Sequence, residues 1–264
     1  MNLGLDGRVV VIGGGSAGLG LATAITCARE GAAVVLGSRS RERVAAAVDT
    51  VRRQAPGADV HGVSADLSGA EGCAGLIEAA VARHDGLDAL LLNGGGPPAG
   101  RALDADDATW TAAFEALVLS VVRQTRLAVP YMRRRGGGRI LAVTSTSVRQ
   151  PTADLVLSGA LRAAAVGFLK SLADHCAPDG ILVNALAPGR FATDRVRSLD
   201  TRRAADTGRS FEAVQADLIR AVPLGRYGDP EEYARLAAFL LSSANTYITG
   251  THLYCDGGAL RTVL

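Results

Sequence analysis

Residues Val9 to Gly20 read V-V-V-I-G-G-G-S-A-G-L-G, an apolar run that breaks into glycines before a helical pattern begins. Val9, Val10, Val11 and Ile12 suit a parallel strand covered on both faces. Gly14, Gly18 and Gly20 let the chain turn tightly, bring its backbone close to a pyrophosphate and seat the next helix on the sheet. That helix starts near Gly18, and its free N–H groups and dipole favour an anion. The stretch thus predicts a strand, a phosphate-binding turn and a helix, the opening unit of a dinucleotide-binding fold.

The rest of the chain repeats this rhythm. Strand patterns fall near Val9–Ile12, Ala33–Gly37, Val60–Val63, Ala89–Leu92, Arg139–Thr144, Leu182–Ala185 and Thr251–Tyr254. Helical patterns fill the gaps at Leu19–Glu30, Ser40–Gln54, Ala70–Arg83, Asp106–Arg134, Leu155–Cys176 and Pro230–Leu241. Alternation of this kind predicts an α/β fold: a Rossmann-type doubly wound parallel sheet of about seven strands with helices on both faces. With 264 residues, 48% of them hydrophobic, the chain reads as a single dinucleotide-binding domain over 1–264. Residues 191–221 interrupt the rhythm where ligand-binding loops emerge and are expected to form a substrate loop or lid.

A net charge of +2 gives no reason to expect nucleic acid or an anionic membrane. Met1–Arg8 lacks the basic flank and apolar stretch of a signal peptide, and no uninterrupted apolar run suggests a membrane span, so a cytoplasmic protein is expected. Cys27, Cys73, Cys176 and Cys255, and His61, His84, His175 and His252, are scattered without metal-ligand spacing. They read as packing residues, and no metal is expected.

Several ordered motifs resemble those of the short-chain dehydrogenase/reductase family over nearly the whole length. Its T-G-x-x-x-G-x-G matches Gly13 to Gly20, with Gly13 where Thr is usual. Its Asp after the third strand matches Asp66 in Ala65-Asp66-Leu67. Asn93-Gly94-Gly95-Gly96 stands for N-N-A-G, and Pro188-Gly189-Arg190-Phe191-Ala192-Thr193 for P-G-x-x-x-T. P-L-G-R at Pro223–Arg226, Y-I-T-G at Tyr247–Gly250 and D-G-G at Asp256–Gly258 follow in order. The resemblance implies that Gly14, Ser16, Gly18, Leu19 and Gly20 cradle the pyrophosphate. Asp66, Leu67, Asn93 and Gly94 then flank the adenosine, and Pro188, Gly189 and Thr193 lie towards the nicotinamide.

The choice of cofactor follows from charge. Folds that use NAD place an acid after the second strand to accept from the ribose 2′-hydroxyl. Here Gly37-Ser38-Arg39-Ser40-Arg41 holds no acid. Ser38 can donate to a 2′-phosphate and Arg39 can offer it a planar cationic fork, so NADP(H) is expected.

At the catalytic positions the chain departs from the family. Ser145 takes the family's Ser position, but thirteen residues on stands Ser158 rather than Tyr, and four further Arg162 rather than Lys. The family's Asn position falls on Leu117. Together with Gln150-Pro151 and the N-G-G-G-P-P loop, this resembles an atypical subgroup lacking the Tyr-x-x-x-Lys pair. A phenol near pKa 10 can be tuned to donate a proton, whereas a serine needs a base and an arginine keeps its proton. Candidate catalytic residues are therefore Ser145, polarising a substrate oxygen; Arg162, which also holds the nicotinamide ribose; and Ser158, relaying a proton through water. Tyr227, Asp154 and Arg149 are further candidate proton donors.

The expected function is NADP(H)-dependent hydride transfer to or from a small carbonyl or alcohol, with a non-standard proton relay. The alternative is a nucleotide-binding protein without redox turnover, acting as a regulator or scaffold, or as a cofactor-supported isomerase or lyase. The family resemblance implies a homo-oligomer, tetramer or dimer, built on the two long helices. Leu117, Val118, Val121, Val122, Leu155, Leu161 and Val166 offer more apolar surface there than one sheet face needs. Trp110 is expected to pack the first of these helices onto the sheet.

Overall fold

A computed structural model describes residues 2–262; Met1, Val263 and Leu264, the ends of the expected domain, lie outside the described residues. Seven strands form one sheet: β1 (Val9–Gly13), β2 (Ala33–Ser38), β3 (Val60–Ser64), β4 (Ala89–Leu92), β5 (Gly138–Val143), β6 (Ile181–Pro188) and β7 (His252–Cys255). Their spatial order is β3-β2-β1-β4-β5-β6-β7, and every pairing is parallel. The order reverses direction between β1 and β4. In doubly wound sheets, ligands bind outside the carboxyl ends of the strands at such a switch point.

Alternate residues of the strands feed two cores. Val10, Ile12, Val34 and Leu36 pack against α1 (Gly18–Arg29), α2 (Arg41–Gln54) and α9 (Pro230–Leu241). Val9, Val11, Val35 and Leu90 face α3 (Ala70–His84), α5 (Ser120–Arg134) and α6 (Val156–Cys176). Every residue of β1 is buried, as its unbroken apolar run requires. Cys27, Cys73 and Cys176 are buried and burial raises each thiol, in keeping with packing roles.

Three elements differ from the sequence expectation. The helix expected over Asp106–Arg134 is α4 (Asp107–Phe114), a π turn at Glu115–Leu119, and then α5. Trp110 does not reach the sheet. It packs beside Ala113, Leu117, Val118, Leu157 and Leu161, a separate small core between α4 and α6. That core consumes much of the apolar surface assigned to an oligomer interface.

The third difference is the 191–221 segment, which folds as two helices, α7 (Asp194–Thr207) and α8 (Phe211–Arg220). Its base is fixed in the core: Phe191 is buried and stacks edge-on against Tyr233 of α9, with ring centroids 5.5 Å apart. Arg135, at the end of α5, is half-buried and pairs with Asp88 at 2.7 Å. Among the described residues α6 alone has the length and composition of a membrane span. It carries Arg162 and Lys170, and Leu157, Leu161, Leu169 and Ala173 enter the core.

Candidate active site

The glycine turn leaves β1 at the switch point. Gly14 has φ +58°, a left-handed conformation that an L side chain rarely adopts. A β-carbon on Gly20 would collide with the Gly14 carbonyl oxygen, so the turn closes onto α1 only with glycine there. Asn93, at the end of β4, donates from Nδ2 to the Gly14 carbonyl at 3.2 Å and ties the two halves of the cleft together.

The N-terminus of α1 is open. Its N-cap, Ala17, has no capping side chain, and its first turn contains no acid. By contrast, Ser40, Asp106, Thr193, Ser210 and Asp229 each cap the helix that follows them. The first-turn N–H groups of α1 are thus left for an anion. Ser16 and Leu19 are half-buried beside this turn. Thr193 Cγ2 lies 3.5 Å from where a β-carbon on Gly18 would sit, so the start of α7 stands over the turn. Thr193 itself caps α7 by accepting from the Val196 N–H at 3.3 Å.

A cleft of about 460 Å³ runs along the carboxyl edge of the sheet. At one end it is lined by Ser38, Arg39, Asp66 and Leu67, in the middle by Gly14, Asn93 and Gly94, and at the other end by Thr144 and Arg162. Residues expected from distant parts of the sequence therefore share one wall. Ser16, Gly18, Leu19, Gly20, Pro188, Gly189, Thr193, Ser145 and Ser158 border this region without lining the cleft itself. Gly189 is bound to the Cys255 carbonyl through its N–H at 2.8 Å.

The end of the cleft at Arg39 carries opposed charges. The Asp66 carboxylate accepts from the N–H and hydroxyl of Ser68, which hold its pKa below the usual range, with the Arg39 guanidinium adding to the effect. Arg39 is exposed and forms no ion pair among the described residues. Between the ends, Gln124 lines the cleft and its Oε1 is buried without a partner. This acceptor was missed in the sequence because a lone glutamine on a helix carries no motif.

The opposite end of the cleft is organised by Arg162. It donates from Nη1 to the Val143 carbonyl and from Nε to Ser158 Oγ at 3.3 Å. Burial pushes its pKa down to about 10, with nearby Arg195 adding to the fall, so it stays charged at neutral pH. Ser145 Oγ accepts both the N–H (3.1 Å) and the hydroxyl (2.7 Å) of Ser147. Among the described residues neither Ser145 nor Ser158 donates its own hydroxyl proton, so both protons are free for a ligand. Leu117, at the family's Asn position, lines the cleft from the π turn.

The alternative proton donors are engaged elsewhere. Tyr227 donates to Asp200 at 2.8 Å, and burial followed by that bond raises the phenol to about 12. Asp200 is fully buried and also pairs with Arg190, so the three residues anchor α7. Arg149 donates to Thr262 Oγ1 at 3.2 Å, and Asp154 lines a second cavity outside the cleft. His252, read as a packing residue, is instead bonded to Thr144 Oγ1 at 2.9 Å and to the Tyr254 hydroxyl at 3.1 Å.

The family described as enoyl-(acyl carrier protein) reductase matches residues 14–259. The chain is 34% identical to a putative ketoacyl reductase of the monensin polyketide synthase from Streptomyces virginiae, over 95% of this chain and 96% of that one. L-sorbose reductase from Gluconobacter frateurii, solved with NADPH and L-sorbose, superposes with a TM-score of 0.94 at 32% identity, covering both chains fully. An NADPH-bound short-chain oxidoreductase from Pseudomonas aeruginosa PAO1, described as containing an atypical catalytic center, superposes at 0.88 with 31% identity, over 97% of this chain and 99% of that one.

Proposed function

Because this chain belongs to the short-chain dehydrogenase/reductase family, we propose that it is an NADP(H)-dependent oxidoreductase acting on a small carbonyl or alcohol, with a proton relay that does not use a tyrosine. The observation that carries this reading is one cleft with an uncapped helix N-terminus and glycine turn beside it, unpaired Arg39 at one end and charged Arg162 at the other. The solved relatives named above bind NADPH, and the residues here fit that group. Gly14 and Gly20 leave room for a pyrophosphate, the first turn of α1 offers N–H donors, and Ser38 with Arg39 suits a 2′-phosphate.

When bound, the nicotinamide supplies or accepts hydride. The protein's own contribution is placement and charge. Arg162 holds a fixed positive charge near the reacting oxygen and can bind the nicotinamide ribose. Ser145, with its acceptor positions filled by Ser147, directs its proton outward to a carbonyl oxygen. Ser158, whose oxygen accepts from Arg162, has its own proton left to donate to a water or to the substrate. Neither serine is an acid at neutral pH, so the proton taken up by the product comes from solvent through this hydroxyl pair. The whole chain serves as one dinucleotide-binding domain, with residues 191–221 as the substrate lid.

NADPH fluorescence titration against NADH, followed by oxidation assays on ketones, quinones and imines, tests the reading. Saturable NADPH binding and carbonyl-dependent oxidation are expected, with Arg39→Ala weakening NADPH and not NADH. A second reading, nucleotide binding without redox turnover, is favoured by one observation: among the described residues Asp66 is the only carboxylate lining the cleft, and no phenol lines it. Tight NADPH binding with no oxidation across the panel would establish that reading.

A further inference from the structure

Among the described residues, three buried polar side chains line the cleft: Ser120, Gln124 and Thr144. Ser120 spends its hydroxyl proton on the Ala116 carbonyl, and Thr144 Oγ1 is bonded to His252 at 2.9 Å. Gln124 differs. Its Nε2 donates to the Ser120 carbonyl at 3.1 Å, while its Oε1 has no partner although the residue is only 2% exposed. Turning the amide round does not cure this. The Ser120 carbonyl only accepts, so the nitrogen must face it and the oxygen must face away. A buried acceptor left empty is destabilising, and this one lies in the wall of a cleft, where a ligand can bring the donor.

Three neighbours fix its place. A β-carbon on Gly13 would lie 3.3 Å from Gln124 Oε1, 3.0 Å from Leu67 Cδ1 and 2.8 Å from the Asn93 carbonyl oxygen. The oxygen therefore sits beside the end of β1, close to Leu67 and to the end of β4. Leu67, Val121 and Asn93 line the cleft with it. Ser38 and Arg39 suit the 2′-phosphate and the glycine turn suits the pyrophosphate, so the adenosine of the cofactor belongs beside Leu67. With its 2′-oxygen phosphorylated, adenosine keeps two kinds of donor, the ribose 3′-hydroxyl and the 6-amino group of the base. Leu67 and Val121 offer apolar contact, which suits the flat base and not the sugar.

We infer that Gln124 selects the base of the dinucleotide: its Oε1 accepts from the 6-amino group of adenine and rejects a base that carries a 6-oxo group. An oxo group there would set two acceptors against each other in a place poor in water. Asp66 also lines the cleft, but it is exposed, and water competes for any bond it offers. The inference rests on dinucleotide binding and not on redox turnover.

The test is calorimetric titration of the protein, without substrate, with NADPH and with its hypoxanthine analogue, which carries a 6-oxo group in place of the amine. The wild type should bind NADPH about tenfold to a hundredfold more tightly than the analogue. Gln124→Met keeps the volume of the side chain and removes the acceptor, and most of that preference should vanish with it. The preference for NADPH over NADH belongs to Arg39 and should stay within about twofold in this variant, which shows that the site is still folded.

Equal binding of the two cofactors by the wild type would overturn the inference and leave the dinucleotide reading intact. A preference as strong in Gln124→Met as in the wild type would also overturn it, since Asp66 would then select the base and a water would fill the acceptor. A wild type that binds neither cofactor would overturn both readings. Base-selective binding without oxidation of NADPH would refute the redox reading alone and support this one.

Discussion

Arg162 sets the chemistry of the site at the scale of single residues. Burial pushes the Arg162 guanidinium down to about 10, so the folded state carries its charge at a penalty of about 3 kcal/mol. Because the folded pKa is below the unfolded one, the penalty is fully present below about pH 10 and fades as pH rises through and beyond it. Arg162→Met should therefore raise stability by about 1–3 kcal/mol, read as a higher urea midpoint, while abolishing carbonyl turnover. The sign matters: loss of both stability and activity would mean that the bonds to Val143 and Ser158 outweigh the buried charge. The same group predicts the pH profile. Among the described residues Arg162 is the ionisable side chain lining that end of the cleft, so kcat/KM for reduction should show no active-site break from pH 6 to 9 and fall only above about pH 10. A break near neutrality would indict His252 through Thr144. Ser145→Ala should lower kcat by about a hundredfold, as expected for loss of one oxyanion donor, with KM little changed. At this scale the cofactor end was legible in the sequence, because glycines and Arg39 act through local backbone and charge. Gln124 and the Thr144–His252–Tyr254 chain were not, because each matters only through a neighbour far away in the sequence.

At the scale of elements, β1 and β4 could be read from their apolar runs, since burial on both faces leaves them no polar residue, whereas β3 and β7, with polar residues and partly exposed, were placed by the alternation with helices. The π turn at Glu115–Leu119 was hidden, because one extra residue per turn barely disturbs a 3.6-residue pattern. The two helices of 191–221 were hidden for a different reason. Along α7, Arg, Asp and Thr dominate and only Asp200 and Ala204 are buried, so hydrophobic periodicity gave no signal. What holds α7 is the fully buried Asp200, shared between Arg190 and Tyr227. Asp200→Asn leaves Arg190 without its charge partner and should cost about 3 kcal/mol. The loss should appear first as faster limited proteolysis within 191–221 and a raised KM, with NADPH affinity less affected. Cleavage rates equal to wild type would show that Phe191 and the packing of Tyr233 suffice to seat the lid.

The whole molecule is a sheet whose two faces are closed by helices, α1, α2 and α9 on one and α3, α5 and α6 on the other. One surface of α6 is not used by either core. Ala160, Ala163, Ala164 and Gly167 are exposed and recur at a helical spacing, on a helix whose composition is otherwise apolar. The branched residues first assigned to an interface, Leu117, Val118 and Leu161, are buried within the subunit instead. An oligomer of the kind the family resemblance implies would therefore assemble through small side chains, where two helix backbones can approach closely. Light scattering is expected to give two or four times the subunit mass. Ala164→Arg places a long charged side chain where only a methyl group fits and should shift the mass to a smaller species at unchanged NADPH affinity, since Ala164 is turned away from the cleft on the exposed face of α6. A wild-type chain that is monomeric at every concentration tested would remove the oligomer from this account, and the cleft, built entirely within one subunit, would stand without it.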